Sequence, residues 1–578
     1  MEQDEPVAHS ARSLRVSELA VPFIIFFLLY VLTLSNALSV ATDSISYIND
    51  IDIYDVGVDL HNLFHPHHLL YTSLGWMWVA LWRQLGVHSD SAVLMSVLNA
   101  IFGALTLCVF YAFLRVRLVC DRLTALLGTC LPAFSFAFWY YSGSIEVYII
   151  PLFLLWLAFY MLTADDVPAR TFLLAGFLNA IAVVIAQMCV LFATVVFAAA
   201  WYHRRNSPLT RSLANYLGAA VPTAGIPYFI VFCEVGRGHL HRSLYWLTLY
   251  THQTRFWNTP SASTFLKVAV GLEQAFVGSH FLFALPRMRA FIERALPGHY
   301  LTHEAYLVRN LGIGTAYLLS VLSVCLFVIF TAALAVSAAH WSRLSSRNRM
   351  FIFFLTVWLV TDSVFVFFYT ADNAKLWIVQ VFCVWMLFLV VLIGTIGSAV
   401  SRLRGSKVVL ASLVVLLFFV NFVGSIRFTH ERANDYYYSR IESLLKVSHQ
   451  GDLVIIGTSW KFEQYLRRYD RASILSLTSV YDAYGRGPES PQRVQSEIER
   501  TLSGGGRVVI SPEALKPEKE TIHLYPGIGV FATVWDKYRG YWCERDFSSG
   551  PVFVLEPGKR EAGTGQEGTA CSQAMARD

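Results

Sequence analysis

Charge is scarce in this chain. Only 15% of its 578 residues are Asp, Glu, Lys or Arg, while 55% are apolar; a soluble domain usually carries about 25% charged residues. That shortage excludes a string of water-soluble domains, because so many Phe, Leu and Val side chains would leave too little polar surface. It excludes disorder and a collagen-like structure on the same ground. A basic face is missing too. Net charge is only +5, and the Lys and Arg residues fall in short clusters between apolar runs, so nucleic-acid binding is excluded. No CxxC pair occurs. Seven of the nine cysteines lie from Cys108 to Cys383, in or beside apolar runs, and read as small apolar filler. Cys543 and Cys571 fall in the polar C-terminal part, where a bridge between them is open. No internal repeat is visible, which counts against many transporter architectures.

What remains is a polytopic α-helical membrane protein with one polar extension. A spanning helix needs about 20 mostly apolar residues. Candidate runs are 18–40, 91–114, 123–142, 144–163, 212–235, 306–338, 350–370, 375–399 and 408–425, and 171–202 reads as two short helices broken near Ala186–Gln187. The first run is too long for a signal-peptide core and reads as an uncleaved anchor. Lys and Arg mark the cytoplasmic side. Placing Arg12/Arg15, Arg115/Arg117/Arg122, Arg170, Arg204/Arg205/Arg211, Arg343/Arg347/Arg349 and Arg402/Arg404/Lys407 inside gives about 11 transmembrane helices, N-terminus in and C-terminus out. Residues 1–17 are then a cytoplasmic N-terminus and 18–425 the transmembrane domain, with a first outer loop at 42–66 and a long outer loop at 237–305. In the latter, 262–284 is apolar enough to be re-entrant. Counting 67–85 as a span would turn Arg115–Arg122 outward. With Trp76, Trp78 and Trp82 it reads instead as an interfacial helix.

From 426 to 556 the pattern changes to short β-branched runs between amphipathic helices. Strands are expected at Leu453–Gly457, Ser473–Leu477, Arg507–Ile510 and Val552–Leu555, with a helix through Arg468 and another at Pro491–Leu502. That is a small α/β domain, extracytoplasmic by the charge rule. Gly504–Gly506 precedes a strand, so it is a turn and not a phosphate loop. The tail, 557–578, is Gly/Glu-rich and expected to be disordered.

The first outer loop holds five aspartates and four histidines and no basic residue between Thr42 and His68. Asp43 lies at the mouth of the first span, where partial desolvation suits a proton acceptor; a solvated acidic loop is the plainer reading. His61 and His65 are spaced i,i+4 as metal ligands can be, but Pro66 stops a helix from reaching His67 and His68. Interface anchoring is the alternative. Glu146 opens an apolar run, either as a functional acid or as an anion at a helix N-terminus. Asp372 and Lys375 lie between two apolar runs, where Lys375 either snorkels or faces a polar cavity.

The stretch D43-S-I-S-Y, followed by F64-H65-P66-H67-H68-L69-L70-Y71 and by F138-W-Y-Y-S-G-S-I-E146-V-Y148, resembles the C-type glycosyltransferase superfamily (GT-C), in particular its protein O-mannosyltransferase-like branch. The resemblance covers residues 18–240. It implies a GT-C-like fold, a polyprenyl-phosphate sugar donor, inversion at the anomeric carbon, and an acidic base or acceptor-positioning residue that maps onto Asp43. The chain departs from the family pattern with H-P-H for H-P-P, and with Gln187 where related sequences often have His. Displacing phosphate from a sugar C1 needs a carboxylate to take the acceptor proton and a cation or divalent metal to steady the leaving group. Asp43 and Glu146 are therefore the catalytic candidates. His65, His67, His68, Tyr71, Tyr148, Asp372 and Lys375 are the substrate-binding candidates, with Arg237, Arg242 and Arg255 as competing phosphate ligands. The acceptor, whether glycan, lipid or protein, is left open. Charged residues within spans would favour a transporter or flippase, and Asp362 is the main one here. A scaffold presenting the C-terminal domain is the third class.

Overall fold

The computed structural model describes residues 15–41, 43–54, 63–248, 257–295, 302–396, 400–457, 460–470, 472–518, 521–522, 525–539, 541–547 and 551–557. His61, Arg255, Cys571 and the tail after 557 lie outside the described residues. The chain divides into two compact units. One comprises Met1–Asn36, Asp50–Leu296 and Leu307–Glu431; the other comprises Ala37–Asn49, Pro297–Tyr306 and Arg432–Asp578.

The first unit is helical. Among the described residues six helices are long and apolar enough to cross a membrane: Ser91–Arg117, Leu209–Gly236, Ile313–Ala338, Ser346–Phe368, Ala374–Thr395 and Gly405–Thr429. Two of them, Leu209–Gly236 and Ile313–Ala338, leave most of their apolar surface open, with Val221, Phe229, Val324 and Phe327 each more than 60% exposed. Apolar area on this scale is not sustained in water, whereas lipid tails solvate it without penalty. Ser91–Arg117 and Ala374–Thr395 are instead wrapped by neighbours and form the centre.

The expected eleven crossings are not reached by length. Val16–Leu32, Ile149–Leu162 and Ala169–Ile185 have 17, 14 and 17 residues, or about 21–26 Å at 1.5 Å per residue, against a hydrocarbon core of about 30 Å. The run 123–142 is two helices, Arg122–Phe134 and Phe136–Ser142, bent by 78°. Pro132 weakens the first of them and Ser135 is extended. The carbonyl of Phe134 is met by the Asn421 amide at 2.7 Å, as a helix break inside an apolar layer requires. The break near Ala186–Gln187 is found where the sequence predicts it. Ala186 is extended and a short 3-10 turn, Gln187–Phe192, precedes the helix Ala193–Tyr202.

The run 67–85 forms the helix Tyr71–Gln84, about 21 Å long. One stripe of it, Tyr71, Thr72, Gly75 and Val79, is buried, while Met77, Leu81 and Leu85 are exposed. The stretch 262–284 holds one 16-residue helix, Ala262–Val277, ending at Gly278 in left-handed backbone, and a 3-10 turn at His280–Ala284.

The second unit holds a five-stranded sheet in the order β2-β1-β3-β5-β4. Its strands are β1 (Leu453–Ile456), β2 (Ser473–Ser476), β3 (Val508–Ile510), β4 (Trp542–Arg545) and β5 (Val552–Leu555). β1 pairs in parallel with β2 and β3, and β5 runs antiparallel to both β3 and β4. The β-branched runs LVII and VVI are fully buried, as central strands covered on both faces should be. The helices Trp460–Tyr469 and Glu489–Ser503 match the sequence expectation. Gly504 caps the latter and leads into β3, so the glycine run is a turn. Asp452 sits just before β1. Burial opposes its ionisation, but hydrogen bonds from Arg507 and from the His449 backbone outweigh that and hold its carboxyl below the usual range.

Candidate functional site: a buried ion pair beside an apolar pocket

The irregular segment between Gly143 and Tyr148 sits in the first unit, ahead of the helix Ile149–Leu162. Asn99, wholly buried in the central helix, donates to the carbonyls of Ser144 at 2.9 Å and Glu146 at 2.8 Å. Glu146 is fully buried. Its Oε1 accepts from the Val147 amide at 2.9 Å, and its Oε2 lies 3.3 Å from Lys375 Nζ. The helix is capped at Tyr148 without a side-chain bond, so Glu146 is not its N-cap. Lys375 is only 8% exposed, so it does not snorkel. It pairs with Glu146 and stands 5.9 Å from the centre of the Tyr148 ring.

Lys375 is presented by a constrained turn. Thr370 has φ of +47°, a costly conformation for a β-branched residue. Asn373 accepts from the Lys375 amide, and Trp377 Nε1 donates to Ala371 O at 2.8 Å. Gly271 lets the helix Ala262–Val277 approach this turn, since a Cβ there would lie 2.2 Å from Ala371 O. Asp372 is half-buried on the same turn.

The histidine segment is a second turn in the same unit. His65 and His68 form an isolated bridge. Three flanking segments hold it: Tyr228 donates to Pro66 O at 2.8 Å, the Gln187 amide to His67 O at 3.0 Å, and Trp246 to Phe64 O at 3.1 Å. The His68 ring meets Tyr148 edge-on at 6.4 Å, and the His65 ring lies 5.6 Å from both His67 and His68. Burial pushes His67 down to about 4, so it is neutral at neutral pH. Tyr71, buried next to this turn, feels the charges of Glu146 and Lys375; its burial, first, and Glu146, second, raise its hydroxyl well above the usual range. Among the described residues no three His, Cys, Asp or Glu side chains converge as a metal set.

Tyr148 and Lys375 also line a small pocket with Leu152, Leu155, Cys189, Trp358 and Asp362. Its wall is largely apolar with one cation and one acid. An ammonium held by Glu146 and facing such a pocket suits a ligand with an apolar body and an anionic end. Burying the charges is tolerable only because they pair.

Two crystal structures of ArnT from Cupriavidus metallidurans are similar to the chain in backbone. One, bound to undecaprenyl phosphate, has 12% identity and a TM-score of 0.45; the other, in the apo state, has 13% and 0.45. Each likeness covers 93% of this chain and 98% of that protein. No family model and no curated protein matches the chain. A likeness of this size assigns no activity.

Glu146, Tyr148, His68, Tyr71 and Lys375 are thus brought together, with His65 and His67 adjoining. Asp43 belongs to the second unit, where it occupies the N-cap place of the helix Ser44–Tyr54 and its carbonyl accepts from Ser46 and Tyr47. Arg237 and Arg242 lie at and beyond the end of the helix Leu209–Gly236. One site residue escapes sequence reasoning, and a second is read there in a different role. Asn99 is legible only as an amide inside an apolar run. Asp362 is visible as a mid-span charge but points there to transport, not to a wall shared with Lys375.

Proposed function

We propose that the chain is a membrane glycosyltransferase that moves a sugar from a polyprenyl-phosphate carrier to an acceptor on the extracytoplasmic face, with inversion. One observation carries the reading: a buried lysine, fixed by Glu146, on the wall of an apolar pocket inside a helical unit whose surface suits lipid. A lipid-phosphate donor offers a matching pair of features, an anionic head and a tail that stays in the bilayer. Lys375 holds the departing phosphate, Glu146 orients Lys375, and Asp372 contributes to the same turn. Tyr148, Tyr71 and the His65–His68 turn shape the head-group end. Asp43, on the strength of the sequence resemblance, takes the acceptor proton as the new bond forms at C1 and the C1–O–phosphate bond breaks. The phosphate carries away the electron pair. A single in-line displacement of this kind inverts the anomeric carbon.

The topology supports an outward-facing chemistry. The first outer loop lacks Lys and Arg from 42 to 66. The charge pattern places the C-terminal domain in the extracytoplasmic compartment and the N-terminus in the cytoplasm. In a bacterium this is the cell membrane.

The test is a transfer assay with purified protein and a panel of radiolabelled polyprenyl-phosphate sugars. Asp43→Asn is the informative variant, because Asn caps a helix as well as Asp does yet cannot serve as the base. Loss of transfer with an unchanged melting temperature supports the assignment; wild-type transfer refutes it. A second reading, a transporter or flippase of a lipid-linked solute, is favoured by Asp362, a buried acid in mid-span that faces the pocket. Its mark is flux across proteoliposomes without turnover, abolished by Asp362→Asn.

A further inference from the structure

The segment bearing Asp43 is held on both sides by the C-terminal domain. Four residues before it, the Ser39 amide donates to Asp435 Oδ2 at 3.2 Å, and Ser39 Oγ accepts from the Tyr436 amide at 3.4 Å. Six residues after it, Asn49 Nδ2 donates to the carbonyl of Gln464 at 2.8 Å and to its Oε1 at 2.9 Å. All of these residues belong to the second unit. Asp435 is 1% exposed and also accepts from the Tyr438 amide at 3.0 Å and the Tyr465 hydroxyl at 2.7 Å. Around Asp43, Ala37, Leu38, Ser39, Ala41, Ser44 and Ile45 are all buried, while Asp43 itself is half-exposed. A solvated acidic loop would not be anchored like this. The Ser39–Asp435 bond is buried and the Asn49–Gln464 bonds are part-buried; with one anchor ahead of Asp43 and the other on the helix that starts at Ser44, the carboxylate between them has few ways to move.

We propose that the C-terminal α/β domain is a positioning device for Asp43, with Asn49, Gln464 and Asp435 as positioning residues. The proposal rests on the reading of Asp43 as the proton acceptor. It gives the domain a role in the chemical step, in addition to any contact with the acceptor. A carboxylate displaced by about 1 Å loses on the order of 100-fold in rate, so the anchors should act on kcat and not on capture of the lipid donor.

The experiment uses the full-length purified protein and compares Asn49→Ala, Asn49→Gln, Asp43→Asn, the Asp43→Asn/Asn49→Ala pair and Asp452→Asn. Asp452→Asn weakens the same domain through its sheet, away from the anchors. Expected for Asn49→Ala is a fall in kcat of about 10- to 100-fold with the donor KM within about 2-fold of wild type. Asn49→Gln, which keeps an amide donor, should recover part of it. The paired variant should be no slower than Asp43→Asn alone, and Asp452→Asn should keep wild-type kcat per folded molecule. Wild-type kcat in Asn49→Ala alongside an inactive Asp43→Asn overturns the positioning role while leaving the base intact. An equal loss of kcat in Asp452→Asn overturns it too, by reducing the effect to stability. Wild-type transfer by Asp43→Asn is a different failure, that of the assigned base.

Discussion

Replacing Lys375 with Met keeps the length of the side chain and removes its charge. Glu146 would then stay fully buried, still accepting from the Val147 amide at 2.9 Å but without the lysine's charge. Breaking one side of a buried pair costs about 3–5 kcal/mol, mostly the price of the stranded charge. At about 2 °C per kcal/mol for a large domain, that is a fall of about 6–10 °C in melting temperature. Adding Glu146→Gln removes the stranded charge. The double variant should therefore regain most of the lost stability, because an exchange of both members of a buried pair is often close to neutral. Function should not follow stability. If Lys375 holds the donor phosphate, both Lys375→Met and the stable double variant lose transfer, with donor KM raised and kcat reduced. Differential scanning fluorimetry in detergent at a fixed scan rate, run beside the transfer assay, separates the two effects. A double variant as active as wild type would refute the phosphate role and leave the pair as a structural lock. A single variant as stable as wild type would refute the energetics, since Glu146 would then have found water.

Three further outcomes are expected. Asn99→Ala leaves the Ser144 and Glu146 carbonyls without their donor in a buried site, at about 1–3 kcal/mol each at most, and should lower both melting temperature and kcat. Asp452 contributes stability in full above its unfolded value of 3.8, lost as pH falls through its lowered folded value; Asp452→Asn should flatten that acid limb in a pH series of melting temperatures. His67 behaves in the opposite sense to a salt-bridged histidine. Burial holds it down to about 4 against 6.5 unfolded, so its contribution is complete above pH 6.5 and falls from there toward pH 4, and His67→Gln should remove that slope.

Much of this architecture is legible in the sequence because it rests on local composition. Apolar length marks the long helices, and β-branched runs mark β1 and β3. The strand β4 is less legible, because WCER has no β-branched residue and its side chains are only partly buried. Helix breaks are legible only where a local signal exists. Ala186–Gln187 follows from the excess length of the run, but the 78° bend at Ser135 depends on Asn421, 287 residues away, to satisfy the Phe134 carbonyl. The site divides in the same way. Charge counting puts Glu146 and Lys375 on one side of the membrane. That they meet at 3.3 Å across 229 residues is a tertiary fact, carried by a turn with a strained Thr370 and a close approach at Gly271 that no local pattern announces.

The parity of the whole topology turns on the helix Tyr71–Gln84. A further crossing there would reverse the side of every later loop relative to the first. Its length of about 21 Å argues against that, and so do its ends. Asp52 precedes the histidine turn, whereas Arg83 and Ser91 follow the turn and most of the helix. Even so, Ser91 Oγ donates to Asp52 Oδ1 at 2.5 Å, and Arg83 lies 3.2 Å from the same oxygen. The chain therefore returns to the level of Asp52 before the central helix starts at Ser91. On the interfacial reading, the exposed stripe of Met77, Leu81 and Leu85 would face the headgroup boundary, where tryptophans such as Trp78 and Trp82, packed edge-on at 5.4 Å, are favoured. Cysteines introduced singly at Asp43, His88 and Asn373 test this in sealed vesicles with a membrane-impermeant maleimide. All three should react from one side. Labelling of position 88 from the side opposite to 43 would make Tyr71–Gln84 a true span. Labelling of 43 and 373 from opposite sides would place the proposed base and the phosphate-holding lysine in different compartments, and no single transfer reaction could use both.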